Sequence, residues 1–284
     1  EHIDNIQIYL NESEGVKDRG KYYDDTGVIK DMFQNHILQV LSLIAMDEPE
    51  NLSAEEISAK KVEVFKELAD NDLSDIDNHI VRGQYAANAV DGEEISAYRA
   101  EQEIDPESET ATFMALKLFL NTERWRDVPI YLKSGKRLNK KEAAIGIEFK
   151  DDFHSAYLQN QDLESNLLLI KIQPEEGVSL RFNTRKPASN NKIIPVEMEF
   201  CQSCQQFFNS PENYEGLIYD MIAGDKTLFT SWKEVSYSWK FIDKIQRKCA
   251  EENIKLHQYP ALSRGPEAAA ELLQRDGRRW LDRE

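Results

Sequence analysis

Alternation of apolar and polar residues runs through much of the chain and predicts β-strands. In residues 3–10 it places Ile6, Ile8 and Leu10 on one face, with the two-residue period of a half-buried strand. Other segments of this kind are 81–86, 110–120, 129–133, 144–150, 166–173, 178–184 and 195–200. Most of them are separated by Gly, Pro or Asn rather than by a helix-length pattern, so we expect a large, mostly antiparallel sheet.

Helical periods predict a second layer. The residues from Asp24 to Thr26 form a favourable helix start, since acids suit the positive end of a helix dipole. The residues from about 27 to 46 are apolar nearly all round, as in a central, buried helix. The residues Ser53 to Glu56 have the form of a capping box for an amphipathic helix that ends near Leu68. Helical periods return after Pro211.

These elements predict an α+β fold in a single domain of residues 1–284, with helices packed on one face of the sheet. The other face is then available as an interface, because such a sheet buries only one face by itself. The length is sufficient for a substantial core, and no apolar run approaches the ~20 residues of a membrane span.

Four polar residues interrupt the predicted central helix. They are Asp31, Gln34, Asn35 and His36. Burying polar groups is unfavourable unless they find partners, so the cluster indicates an internal network or a site. His36 is the candidate for chemistry, because imidazole takes up and returns protons near neutral pH. By the pattern alone, a hydrogen-bonded core histidine is a slightly better interpretation.

Charge narrows the function classes. The 35 Lys and Arg against 52 Asp and Glu give a formal net charge of −17, which repels nucleic acid and anionic membranes. A phosphate-bearing substrate therefore needs a local cationic pocket. Lys136 and Lys141 belong to a basic cluster in residues 133–141, although by charge pattern alone a solvated basic surface is favoured.

The number and spacing of cysteines and glycines further limit the possible functions. Three cysteines argue against a disulfide framework and favour a reducing, cytoplasmic compartment. Cys201 and Cys204 form a CxxC pair, but residues three apart on a strand face opposite sides, so we expect free thiols and no metal site.

No two of the 12 glycines lie closer than five residues apart, whereas a dinucleotide fold needs closely spaced glycines. We therefore predict no conventional nucleotide-binding unit.

Six segments, in order along the chain, resemble glucose-6-phosphate dehydrogenase. They are 3–8 (IDNIQI), 19–24 (RGKYYD), 31–36 (DMFQNH), 131–138 (YLKSGKRL), 172–177 (IQPEEG) and 264–266 (RGP). The resemblance covers the whole chain but only the C-terminal, substrate-binding half of the family. It implies that a Rossmann domain, which binds most of the NADP, precedes Glu1. The absence of a glycine fingerprint and of an initiator Met agrees with a piece of a longer protein. The N-terminal residues also show no signal-peptide pattern.

The resemblance implies roles for individual residues. His36 matches the general base that takes the C1 hydroxyl proton of glucose 6-phosphate, while hydride passes to NADP and 6-phosphogluconolactone forms. Asp31 and Glu12 match residues that hydrogen-bond the sugar hydroxyls. Lys136 and Lys141 match the substrate lysines.

Further implications concern the shape of the site and the assembly. Gln173 is a weaker candidate for the same site. On an ideal α-helix Asp31 and His36 are about 140° apart at 100° per residue, so we expect the substrate to be gripped from two sides. Family members dimerise through the large sheet, so we also expect a homodimer.

Two departures from the family pattern matter. The family's phosphate motif, Arg-Ile-Asp-His-Tyr-Leu-Gly-Lys-Glu, which also orients the catalytic histidine, does not occur in the chain. We therefore expect this chain by itself to be inactive, although the full protein is an enzyme. Some members bind a second, structural NADP on this domain. Lys171 and Trp280 lie in comparable places, but Glu142 stands where a cation is wanted, so we do not expect that site here.

A second function class stays open. The chain is alternatively a stand-alone sugar-phosphate-binding or dimerisation module that kept the fold and lost the chemistry. An upstream reading frame with a Gly-rich strand-turn-helix favours the enzyme, and a start codon at residue 1 favours the module.

Overall fold

The fold is built on a nine-stranded mixed sheet, seen in a computed structural model that describes residues 2–150, 163–187, 192–201 and 213–282. The strands are β1 (Ile3–Asn11), β2 (Ile80–Ala86), β3 (Asn88–Val90), β4 (Glu93–Ile95), β5 (Phe113–Leu118), β6 (Ile130–Gly135), β7 (Glu142–Phe149), β8 (Leu167–Gln173), β9 (Gly177–Arg185), β10 (Ile193–Cys201) and β11 (Leu256–Pro260). β3 and β4 form a separate hairpin. Every predicted strand is present, with ends within three residues of the prediction.

The order across the large sheet is β10-β9-β8-β7-β1-β6-β5-β2-β11. β1 and β6 run parallel, as do β2 and β11, and the other neighbours are antiparallel. The sheet is therefore mostly antiparallel, as predicted. β1 lies at its centre, and the side chains on both of its faces are buried.

Most of the helices cover one face of the sheet, and the last one packs on the other. The helices are α1 (Gly20–Val28), α2 (Leu38–Ala45), α3 (Ala54–Asp70), α4 (Ile76–His79), α5 (Asn213–Ala223), α6 (Trp232–Glu251) and α7 (Glu267–Gln274), with a π-helix, Ile29–Ile37, between α1 and α2. The main core joins this layer to the sheet through fully buried residues such as Phe33, Leu41, Phe65 and Ile242. Burial of each such side chain contributes ~1.5–3 kcal/mol.

Serine caps hold two of these helices. The Ser53 hydroxyl accepts a hydrogen bond from the Glu56 N–H at 3.3 Å, so the predicted α3 start is confirmed. At α6, Ser231 and Glu234 bond to each other's backbone N–H and complete a capping box. None of the described helices is both long enough and apolar enough to cross a membrane.

The predicted central helix differs from the structure at its start. Helical structure begins at Gly20 rather than near Gly27, and Gly27 breaks it with φ 60° and ψ 177°. Its polar residues are also less buried than we predicted, since Asn35 and His36 are exposed. Exposed polar side chains of this kind do not need partners within the protein.

The opposite face of the sheet is not left open over its central strands. A second cluster of buried aromatic and aliphatic residues covers it, and includes Tyr85, Phe113, Tyr131, Tyr259 and Leu273. α7 and residues 278–282 supply the covering layer. This part of the other face is therefore not available as the interface that we expected.

Cys201 ends β10 and is disulfide-bonded. The prediction of a free thiol is therefore wrong for Cys201. Cys204 lies outside the described residues. Cys249 is free and buried, and burial raises the pKa of its thiol.

Candidate functional site

Five elements, β1, the π-helix, α2, β7 and β8, converge on one cavity of about 450 Å³. It is lined by Leu10, Asn11, Glu12, Met32, Asn35, His36, Gln39, Val40, Lys141, Ala143, Ile172 and Gln173. The sheet brings them together because β7 is antiparallel to both of its neighbours, so the ends of β1 and β8 meet the start of β7. Asn11 stands opposite Glu142, and Ala143 opposite Gln173.

Four of the six predicted site residues line this cavity, namely Glu12, His36, Lys141 and Gln173. The other two, Asp31 and Lys136, lie beside it. The Lys136 Nζ is 2.5 Å from Glu12 Oε2 and 3.9 Å from Asp31 Oδ2. The structure thus brings all six together.

Lys136 forms the centre of a compact charged cluster. Its side chain is buried, and its ammonium lies 4.9 Å from the centre of the Tyr23 ring. β1 and β6 are parallel and end at one edge of the sheet, with Asn11 opposite Gly135. The residues that follow these two strands are therefore neighbours. Carboxylates and an ammonium so arranged can exchange their mutual bonds for sugar hydroxyls.

His36 lies on the π-helix, with its side chain exposed at the cavity. A π-helix bonds each N–H to the carbonyl five residues earlier, as the Leu38 N–H does to the Phe33 carbonyl. Residues five apart, such as Asp31 and His36, are then closer in angle than they would be on an α-helix. The predicted separation of about 140° assumed α-helical geometry, which this segment does not have. π-Helical turns are rare and are frequently found at functional sites.

Lys141 differs from Lys136 in its surroundings. Its side chain is exposed, and within the described part of the chain it makes no ion pair. Lys136 instead has its charge offset by two carboxylates. The two lysines of the predicted cationic pocket therefore differ, since Lys136 is paired and Lys141 makes no ion pair within the described residues.

Sequence reasoning missed several lining residues. Asn11 ends β1 and points to the side away from Ile6 and Ile8, and Gln39 follows the polar run by one turn. Asn35 was part of that run but had no assigned role. A polar residue that closes a strand next to an acid was the available signal for Asn11.

Residues considered for a second NADP are engaged within the chain. Lys171 forms an ion pair with Glu199. Trp280 is 5% exposed, and its Nε1–H donates to the Ala269 carbonyl at 2.7 Å. Lys133 lies over the Trp280 ring at 4.5 Å. These side chains already have partners within the chain, and the absence of a second NADP site stays a prediction.

A larger cavity, of about 940 Å³, lies around Arg181, Arg278 and Arg279. Each of these arginines pairs with a carboxylate, either Glu164 or Asp4. The charges of this cavity are therefore balanced internally. The smaller cavity at His36 is the better candidate because it holds an exposed base and an ammonium, that of Lys141, which pairs with no carboxylate among the described residues.

Comparisons with known proteins agree with this assignment. Residues 1–281 match the family described as glucose-6-phosphate dehydrogenase, C-terminal domain. The chain is 40% identical over 280 residues to glucose-6-phosphate 1-dehydrogenase of Bacillus subtilis, and the alignment covers 98% of this chain and 57% of that protein. It is 41% identical over 278 residues to the enzyme of Streptococcus pneumoniae, and that alignment covers 98% of this chain and 56% of the relative.

Solved structures give the same result. One described as glucose-6-phosphate dehydrogenase in complex with its substrate glucose-6-phosphate matches with a TM-score of 0.87 and 32% identity, over 98% of this chain and 56% of that one. The Mycobacterium avium enzyme matches with a TM-score of 0.80 and 30% identity, over 99% and 56%. The chain spans about half the length of these relatives. It belongs to the family of glucose-6-phosphate dehydrogenase C-terminal domains.

Proposed function

We propose that this chain is the substrate-binding and dimerisation domain, residues 1–284, of an NADP-dependent glucose-6-phosphate 1-dehydrogenase. The whole enzyme oxidises glucose 6-phosphate to 6-phosphogluconolactone in the first step of the oxidative pentose phosphate pathway. The observation that carries the proposal is the convergence of Glu12, His36, Lys141 and Gln173 on one cavity. Residues so distant in sequence meet only through the fold.

One group of residues in the site suits the sugar hydroxyls of the substrate, and another suits its phosphate. Glu12 and Asp31 accept hydrogen bonds from sugar hydroxyls, and Lys136 holds the two carboxylates in place while donating to a hydroxyl oxygen. Lys141 has no carboxylate partner among the described residues and is the ammonium available to the phosphate. Gln173 adds an amide at the same wall.

His36 is the proposed general base. It accepts the proton of the C1 hydroxyl as C1 loses a hydride, which leaves a C1 carbonyl in the lactone. NADP, when bound, accepts that hydride. The exposure of Asn35 and His36 leaves this side of the cavity accessible to a second domain. We propose that NADP is held mainly by such a domain, because the glycines of this chain lack the spacing that a dinucleotide needs.

The chain alone supplies only part of this chemistry. Within the described residues, no carboxylate forms an ion pair with His36, and the phosphate motif of the family does not occur in the sequence. We therefore expect no NADP reduction by this chain alone. We also propose a homodimer, and the cytoplasmic location stays a prediction from cysteine usage.

Calorimetric titration with glucose 6-phosphate tests the proposed site. We expect weak binding that His36→Ala and Lys141→Ala each reduce about tenfold, the size of one lost charge-assisted hydrogen bond. Lys226→Ala is the matched control, because this exposed lysine lines a different cavity. Binding that survives both site substitutions unchanged would place the ligand elsewhere.

The competing hypothesis is a stand-alone sugar-phosphate-binding module. It predicts tight binding by this chain without a second domain, and the upstream reading frame separates the two hypotheses directly. The exposed His36 favours the enzyme, because a binding module has no use for a base at C1.

A further inference from the structure

Three amide side chains lie on one face of the central strand β1, on either side of Tyr9, although this face is buried. Asn5 and Gln7 are 0% exposed and Asn11 is 3% exposed, on the side of β1 opposite Ile6 and Ile8. Buried amide side chains need hydrogen-bond partners. On this face the partners come largely from residues 278–282, which we name the terminal segment.

The terminal segment bonds to β1 at successive positions. Arg278 donates two hydrogen bonds to the Asp4 carboxylate, at 2.7 and 2.8 Å. The Gln7 amide donates to the Arg279 carbonyl and accepts from the Leu281 N–H, both at 3.0 Å. A Cβ on Gly146 would collide with Leu281, so the segment lies directly against the sheet.

Asp282 ends this row of contacts beside the candidate site. Its Oδ2 accepts from Asn11 Nδ2 at 2.8 Å and from Lys133 Nζ at 2.5 Å. Both charged side chains are buried, at 7% and 2% exposed. Burial lowers the pKa of Lys133 despite the attraction of Asp282. A buried carboxylate thus joins β1 to β6.

We infer that Asp282 is a positioning residue for the substrate site, because it ties together the two strand ends that carry Glu12 and Lys136. Asn11 directly precedes Glu12, and Lys133 lies three residues before Lys136. Backbone hydrogen bonds link these strand ends to the residues of the site. The Glu12 N–H donates to the Gly135 carbonyl, and the Leu138 N–H donates to the Glu12 carbonyl, both at 2.9 Å.

If Asp282 only stabilised the fold, its replacement would disturb the whole sheet rather than the strand ends at the site. A buried ion pair adds little net stability, because desolvation opposes the attraction, but removal of one partner leaves the other charge uncompensated. Without the Asp282 charge, Lys133 and the end of β1 must rearrange. The disturbance should then concentrate at residues 11–14 and 136–138, rather than spread over the sheet.

Asp282→Asn, with Asp276→Asn as its matched control, tests this inference. Asp276 also bonds to the sheet face, through Lys117 at 2.7 Å and Tyr131, but it lies away from the cavity. Hydrogen exchange is measured at the Glu12 and Leu138 amides, together with glucose 6-phosphate affinity. We expect Asp282→Asn to speed exchange and weaken binding about tenfold each, as for a buried partner left unpaired. Asp276→Asn should change neither by more than about twofold.

The outcome separates this inference from the proposed function, on which only its binding arm rests. If the unchanged chain binds no glucose 6-phosphate, the exchange data still decide whether Asp282 orders these strand ends. Unaltered exchange in Asp282→Asn, or equal effects of the two variants, would overturn the inference. Should Asp282→Asn fail to fold, Lys133→Met combined with Asp282→Asn removes both charges. That double variant should fold and still exchange faster at Glu12, and normal protection there would count against the inference.

Discussion

The ion pair of Asp4 and Arg278 makes one contact of the terminal segment sensitive to acid. The hydrogen bonds from Arg278 lower the pKa of Asp4 from 3.8. The Asp4 side chain is about a third exposed, so solvent weakens the effect. A carboxyl with a lowered folded-state pKa stabilises the fold above its unfolded pKa of about 3.9, and this contribution disappears as pH falls through the folded value.

Asp4→Asn should therefore reduce the free energy of unfolding by a constant amount above about pH 4, and the reduction should shrink below that pH. Urea unfolding between about pH 2 and pH 7 measures it. Asp47→Asn is the control, because Asp47 is exposed and lies 4.0 Å from its partner Arg124. A deficit in Asp4→Asn that stays the same size at the lowest pH would contradict the linkage.

At the scale of residues, the sequence predicted which residues form the site but not how they pair with one another. Four of the six candidate residues lie in the matched segments, the family resemblance supplied Glu12 and Lys141, and the structure brings all six together. They did not reveal that Lys136 is paired while Lys141 is not, because the partner Glu12 lies 124 residues away. Nor did they reveal Asp282, whose bond to Asn11 spans 271 residues. Such pairings depend on strand order, which no local pattern contains.

At the scale of elements, Gly27 sets the course of the helix that carries His36. Its φ of 60° and ψ of 177° fall in a region that is essentially confined to glycine. The next residue, Val28, donates its N–H to the Ala111 carbonyl at 2.9 Å, so the break is anchored to the strand region. The π-helix begins directly afterwards, at Ile29.

Gly27→Ala should destabilise the protein by about 1–3 kcal/mol, because alanine is strained in this conformation. Its Cβ would also lie 3.1 Å from Thr110 Cγ2. The strain acts at the start of the π-helix, so binding at His36 should weaken as well. Gly216→Ala in α5 is the control, since nothing lies within 4 Å of its Cβ, and a helical alanine should stabilise by ~0.5–1 kcal/mol. Thermal unfolding of both variants measures these changes in stability. A Gly27→Ala variant as stable as the unchanged chain would show that Gly27 is not strained when replaced by alanine.

Elements differ in how far their patterns could reveal them. The strands were predictable because alternation over five or more residues is a strong signal. β11 and the hairpin of β3 and β4 were not, since they have at most five residues each and their pairing is decided by neighbours. The π-helix escaped prediction because its apolar spacing resembles that of an α-helix.

At the scale of the whole molecule, an apolar patch remains uncovered by any described helix. Val178, Leu180, Met198 and Phe200 are all exposed. Pairing of Leu180 with Met198, and of Val178 with Phe200, places them together on β9 and β10. They share the face of Ile170, which packs against the helix layer. A contiguous exposed apolar patch is typical of an interface, and this one supports the proposed homodimer.

Charge should give the proposed homodimer a distinctive salt dependence. Each chain carries a formal charge of −17, so two chains repel each other over distances that salt screens, about 10 Å at 0.1 M. Burial of apolar surface is far less sensitive to screening. Added salt should therefore strengthen association, which is the opposite of an interface held by ion pairs.

Sedimentation of Met198→Lys tests the interface. We expect the unchanged chain to be a dimer and the variant a monomer, because the interface would bury an unpaired ammonium at its centre. Leu52→Lys is the control, since Leu52 is 81% exposed on the loop before α3 and outside the patch. That variant should remain dimeric. An unchanged chain that is monomeric at high salt, or a dimer that tolerates Met198→Lys, would mean that the patch of β9 and β10 is not the dimer interface.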